Sequence, residues 1–195
     1  MALVDQINGC LWLTYAKTME WTNMEFNRHN LLVLWGLPAS GKSTYVKEHG
    51  LTDWCVSYDQ IRDIIGGKHY AFRYGKLVID PDVERAAHQM SLYAISCRMR
   101  TGDFIVYDNT NTLPQDVLNA EMKLLKDLCD IHDYQMWYKR FDTDVETCLK
   151  RSKERSQYEP TEEVIRQQEM YFRNAQMPSF VRNFDYSGYN GFLHK

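Results

Sequence analysis

Cysteine is sparse and unpatterned in this 195-residue chain: Cys10, Cys55, Cys97, Cys129 and Cys148 are odd in number, far apart and without a CxxC pair. That pattern points away from a zinc site and from a disulfide framework, so reduced thiols in a cytoplasmic setting are expected. No apolar run approaches the roughly eighteen residues that a membrane span needs, and Met1 is not followed by a basic stretch. Neither a membrane span nor a secretory leader is therefore expected. A basic excess is missing too. The net charge of -3 and the pI near 6.1 give no overall footprint for nucleic acid, although a local basic groove stays open. Internal repeats, low-complexity runs and linkers are also absent, which points to a single domain.

What is present is an alternation. With 44% hydrophobic and 25% charged residues, the composition is that of an ordinary globular protein. The apolar runs "LLVLW" (31–35), "WCVSY" (54–58), "FIVYD" (104–108) and "YQMWYKRF" (134–141) read as buried strands. Helical stretches are expected near 42–49, 59–66, 82–101, 114–130, 144–155 and 161–175. Asp80-Pro81 starts the third of these and Gly102 stops it, while Pro114 belongs to the first turn of the fourth. Strands separated by helices run parallel, so the expected fold is α/β, a parallel sheet of four to five strands with helices on both faces. Residues 1–30 read as an N-terminal extension and 31–176 as the domain proper. Residues 177–195 read as a tail that packs on the domain, with Arg182 and Lys195 among its aromatics.

Directly after the first strand stands "GLPASGKST", which fits G-x-x-x-x-G-K-[ST] over Gly36 to Ser43. Glycines let the backbone approach a ligand closely, so the N–H groups around Ala39, Ser40 and Gly41 can cradle phosphates at a helix N-terminus. Lys42 reaches the β- and γ-phosphates in such a loop, Ser43 holds Mg²⁺, and Thr44 lies toward the α-phosphate. ATP and Mg²⁺ are the expected ligands. The loop says nothing about where the phosphate goes.

The ends of the other strands carry that information, because a parallel sheet binds ligands at the carboxyl ends of its strands. After the second strand, Asp59 can accept a proton from an attacking hydroxyl, and Arg62 can hold a phosphate or the acceptor's charge. The plainer alternative is that Asp59 caps a helix and Arg62 pairs with it or with Asp63. After the third strand, Asp108 or Asn109 stands near the phosphate loop, followed by Thr110 and Asn111. These can order a metal's water shell or position Asp59, and equally form an Asx turn. After the fourth, Arg151 and Arg155 share one helix face and can close over a triphosphate, or belong to a solvated charged helix.

Taken in order, "GLPASGKST", "YDQIRD", "DNTN" and "LKRSKERSQYEPTEEVIRQQ" resemble the kinase domain of phage polynucleotide 5'-kinases over roughly residues 31–176. The resemblance implies a P-loop kinase fold with a lid at about 150–160. It implies that Asp59 is the general base on a 5'-hydroxyl and that Arg62 meets the acceptor's 3'-phosphate. Arg155 would be the lid arginine on the donor phosphates, with Arg151 as its companion, and Asn109, Thr110 and Asn111 would form the polar loop beside the base. Nucleic acid is then the expected partner. Nothing after residue 176 resembles the phosphatase domain many such enzymes carry, residues 1–29 have no counterpart, and 66–84 departs from the pattern. Similar proteins act on a hydroxymethylated base in DNA or on small alcohols. A nucleotide-binding switch or toxin-like module is the alternative from another class.

Overall fold

The structure, a computed structural model, describes residues 29–66, 71–73, 76–78, 80–155 and 161–184; for 71–73, 76–78 and Arg155 it describes the backbone. Residues His29 to Phe184 form one compact unit. Residues 1–28 of the expected N-terminal extension and the end of the tail, including Lys195, lie outside the described residues, as do Tyr70 and Tyr74 of the segment 66–84.

Strand β1 (Asn30–Gly36) is buried at all seven positions, as an apolar run must be when both faces of its sheet are covered. Its side chains alternate. Leu31, Val33 and Trp35 enter the larger core with Ala87, Ile95, Met122, Leu125 and Phe172, whereas Leu32 and Leu34 face Val46, Leu51 and Val106. Helix α1 (Lys42–Glu48) supplies Val46 to the smaller core. Helices α3 (Pro81–Thr101), α4 (Gln115–His132) and α6 (Glu162–Asn174) supply the larger one. The sheet is thus helix-covered on both faces, as expected.

The remaining strands are β2 (Cys55–Ser57), β5 (Ile105–Asp108), β6 (Gln135–Phe141) and β7 (Arg182–Asn183), in the spatial order β2-β5-β1-β6-β7, all parallel. The fifth strand is two residues long and polar. It lies where the sequence suggests only a packing tail, with Arg182 set over the Trp137 ring at 5.4 Å. A small antiparallel hairpin, β3 (Ala71–Arg73) with β4 (Lys76–Val78), stands between α2 (Tyr58–Gly66) and α3. Helix α5 (Val145–Arg155) follows β6. At the start of α4 the boundary differs from expectation, since Pro114 occupies the N-cap instead of the first turn, without a capping side chain. For α3, Asp80 caps by accepting from the Asp82 N–H, and Gly102 ends the helix at φ +72°.

Register lines up the strand ends. Gly36 pairs with Phe141, Val33 with Tyr107, and Ser57 with Asp108. The phosphate loop, the β5 end, the β2 end and the β6 end therefore share one edge of the sheet. No described helix is long and apolar enough to cross a membrane.

Candidate functional site

The loop after β1 owes its shape to three backbone features. Gly36 has no room for a side chain, since a Cβ would sit 2.8 Å from that of Phe141 and 2.9 Å from Ser40 Oγ. Ala39 adopts φ 59° and Gly41 φ 103°, left-handed conformations that turn the chain back toward α1. A Cβ on Gly41 would meet nothing within 4 Å, so open space borders the loop where its N–H groups begin the helix. Neighbouring loops brace it. The Gly36 N–H donates to the Thr110 carbonyl at 3.1 Å, and Thr143 Oγ1 donates to the Ser40 carbonyl at 2.8 Å.

Lys42 is 7% exposed, and its Nζ donates to the Gly36 and Leu37 carbonyls at 2.9 and 2.7 Å. The ammonium is thereby stationed across the mouth of the loop. Ser43 Oγ donates to Asp108 Oδ2 at 2.8 Å, and Asp108 is 8% exposed at the end of β5. Its negative charge reaches β2, where burial first and the Asp108 carboxylate second push the Cys55 thiol up to about 12. A hydroxyl and a carboxylate at hydrogen-bond distance, both hard oxygen donors beside a phosphate loop, suit Mg²⁺. The residues present fit that ion. Sequence reading offers Asp108 or Asn109, without choosing between them, among residues that can order a metal's water shell or position Asp59. The hidden signal is the position of Asp108 as the last residue of a buried apolar strand next to β1.

Asn111 takes φ 52° and donates its side-chain amide to the Leu34 carbonyl at 2.8 Å, 1% exposed. Asn109 Oδ1 accepts from the Thr110 N–H at 2.8 Å, and Asn109 Nδ2 donates to Tyr107 Oη at 3.2 Å. The Asn109 bond reaches only the next residue and α4 has no capping side chain, so these residues do not cap that helix; they tie the β5 end to the phosphate loop. Asn111 Oδ1, Thr112 Oγ1 and Ser40 Oγ are buried around the same junction without a hydrogen-bond partner.

Asp59 and Arg62 occupy the first turns of α2, directly beyond Ser57. Asp59 is 84% exposed, and Arg62 Nη1 donates to its Oδ1 at 3.0 Å. The cap contact of α2 comes from Ser57 Oγ, which accepts from the Gln60 N–H at 3.4 Å, so Asp59 is not spent on capping. Arg62 also lies 2.6 Å from Glu84 Oε1 through Nε and 5.0 Å over the Tyr58 ring. Arg151 is exposed on α5, where its charge acts together with that of Lys42 on the buried Cys148 thiol. Burial raises that thiol, and the two cations oppose the rise. Arg155 closes α5, its side chain lying outside the described residues together with 156–160, the second half of the expected lid.

A family model described as "AAA domain" matches residues 31–175, three quarters of the chain and the whole of this site. The chain belongs to the AAA domain family. Its fold is that of P-loop kinases. A gluconokinase from Sinorhizobium meliloti 1021 aligns at 12% identity over 80% of this chain and 81% of that one, with a TM-score of 0.52. A sugar kinase from Janibacter aligns at 14% identity over 80% and 83%, with a TM-score of 0.51. At such identities the likeness concerns the fold of this AAA domain alone. A Pnkp1/Rnl/Hen1 complex matches at 24% identity over 67% of this chain and 44% of that one, at a TM-score of 0.43. No curated protein matches at a significant level.

Behind the site, His88 Nε2 lies 2.7 Å from Glu121 Oε2, joining α3 to α4. The hydrogen bond to Glu121 raises the His88 pKa above its ordinary 6.5, against burial, which lowers it. A raised folded pKa stabilises the fold fully below the unfolded value and loses that contribution as pH climbs through the folded one. The Tm gap between wild type and His88→Gln is therefore expected to be widest below the ordinary 6.5 and to narrow as pH rises above it. A gap that stays constant across that rise would refute the linkage.

Proposed function

We propose that this AAA domain is an ATP-dependent phosphotransferase that moves the γ-phosphoryl group to a hydroxyl of a nucleic acid, a polynucleotide 5'-hydroxyl first. One observation carries the reading: Asp59, exposed and not used as a cap, stands at the end of β2, one strand beyond the Ser43–Asp108 pair and on the same sheet edge as the phosphate loop. A carboxylate there can take the acceptor's proton as its oxygen bonds to phosphorus. The bond from phosphorus to the β–γ bridging oxygen breaks, and ADP leaves with that electron pair.

In this reading Gly36, whose N–H is held by the Thr110 carbonyl, lets the loop pass close to the triphosphate, Ala39, Ser40, Gly41 and Thr44 line it, and Lys42 swings from its carbonyl partners onto the β- and γ-oxygens. Ser43 and Asp108 hold Mg²⁺, which supplies charge neutralisation when bound. Arg151 and Arg155 approach from the lid side. Arg62 attends the acceptor, while Asn109, Thr110 and Asn111 act from the β5 end, where Asn111 is buried against the Leu34 carbonyl and serves the site by bracing the loop. Such catalysis is mainly positioning and electrostatics.

A second reading, transfer to a small-molecule alcohol, draws support from Arg62 itself. Its guanidinium faces both the Asp59 and Glu84 carboxylates, an environment less welcoming to an acceptor phosphate. Incubation with γ-labelled ATP and a panel of 5'-hydroxyl oligonucleotides, hydroxymethylated DNA and sugars separates these readings. Labelled 5'-ends support the first, and label only in base-modified DNA or sugars supports the alternatives. ATP turnover indifferent to every acceptor would point to a nucleotide-binding switch.

A further inference from the structure

Helix α2 presents Tyr58, Arg62 and Gly66 at successive i, i+4, i+8 positions, one stripe of its surface. All three meet the first turn of α3. The Tyr58 hydroxyl donates to Glu84 Oε2 at 2.9 Å and lies 3.0 Å from the Glu84 carbonyl. Arg62 Nε sits 2.6 Å from Glu84 Oε1, an ion pair whose atoms are close but not aligned as a hydrogen bond. Gly66 completes the stripe, since a Cβ there would stand 2.8 Å from Val83 Cγ1. Burial and the Glu84 bond raise the Tyr58 pKa, so its hydroxyl stays a proton donor to that carboxylate.

The geometry points to Glu84 as a positioning residue for the acceptor half of the site, acting through Arg62; this rests on the phosphotransferase reading above. Arg62 has several rotatable bonds and, near an exposed Asp59 alone, would sample many orientations. Glu84 fixes the Nε edge, Tyr58 fixes Glu84 and also lies beneath the guanidinium plane, and the Nη1 edge is thereby delivered to Asp59. Glu84 is held in turn. Its N–H donates to the Asp80 carbonyl at 3.0 Å, in the first turn of a capped helix whose dipole favours a carboxylate. The chain Tyr58–Glu84–Arg62–Asp59 also joins the two ends of the segment that carries the β3–β4 hairpin.

Glu84→Gln keeps size and removes charge, so it tests the clasp with little disturbance to packing. Glu84→Gln is expected to raise the KM for the labelled acceptor at least about fivefold, with the KM for ATP and the Tm nearly unchanged. In an Arg62→Ala background the same substitution is expected to add nothing, because a residue that works through another is silent once that other is gone. Independent effects of the two changes would overturn the proposal. A second readout needs no acceptor: the Arg62 Nε–Hε NMR signal, assigned with Arg62→Lys, is expected to shift and exchange faster in Glu84→Gln, and an unchanged signal overturns the clasp. Should Asp59→Asn leave transfer intact, the phosphotransferase reading of Asp59 falls while this NMR test of the clasp still decides.

Discussion

Asp59→Asn is expected to lower phosphoryl transfer by roughly 10²- to 10⁴-fold, the usual contribution of a positioned general base, while ATP binding changes little. The substitution isolates the chemistry unusually well. Asparagine has the shape of aspartate, and at 84% exposure the side chain contributes little to the fold, so stability should stay within about 0.5 kcal/mol. Arg62 retains its contact with Glu84 and therefore does not lose its station when the Asp59 charge disappears. What is removed is the ability to take a proton. The check is single-turnover transfer of label from ATP, run beside a fluorescence titration of ATP binding. Wild-type transfer by the variant would strip Asp59 of its role and leave the binding reading of the loop intact. Loss of both transfer and ATP binding would instead make Asp59 part of the nucleotide site.

The parts of this fold that were legible in the sequence are those where burial leaves a periodic trace. "LLVLW" reads as a central strand because a parallel strand covered on both faces has no polar side, and β1 is buried throughout. Asp80-Pro81 and Gly102 delimit α3 because caps and left-handed termini demand particular residue types. Strand β7 left no trace, since two polar residues on a sheet edge carry no hydrophobic pattern and owe their conformation to β6. The hairpin at 71–78 is similarly short. In the site, "GLPASGKST" is read directly because its backbone chemistry is local. Asp108 is harder: "DNTN" offers several polar residues in a row, and only the register Ser57↔Asp108 with the Ser43 contact separates the carboxylate beside the phosphate loop from the turn that follows. Glu84 is harder still. Its partner Arg62 lies across the hairpin segment, and spacing along the chain cannot pair residues that the fold brings together.

Asp108→Asn is expected to raise the Mg²⁺ concentration needed for half-maximal transfer by roughly 10- to 100-fold, the range seen when a metal's supporting carboxylate is neutralised. The amide oxygen can still accept from Ser43 Oγ, so the 2.8 Å contact and the packing of a residue that is 8% exposed are preserved. Charge alone is lost. Two readouts independent of turnover follow. In wild type, Mg²⁺ with ATP should raise Tm by mass action, because ligand bound only to the folded state stabilises it in proportion to RT ln(1 + [L]/Kd). The variant should lose most of the Mg²⁺-dependent part of that rise and keep the part due to ATP. The second readout is Cys55, whose thiol is held at about 12 by burial and then by the Asp108 charge. Removing the anion lowers that pKa, so Cys55 should alkylate faster at alkaline pH in the variant than in wild type. Unchanged Mg²⁺ dependence, together with faster Cys55 alkylation, would show that the charge was removed and that the metal does not use it. Ser43 would then have to hold the ion with donors other than Asp108.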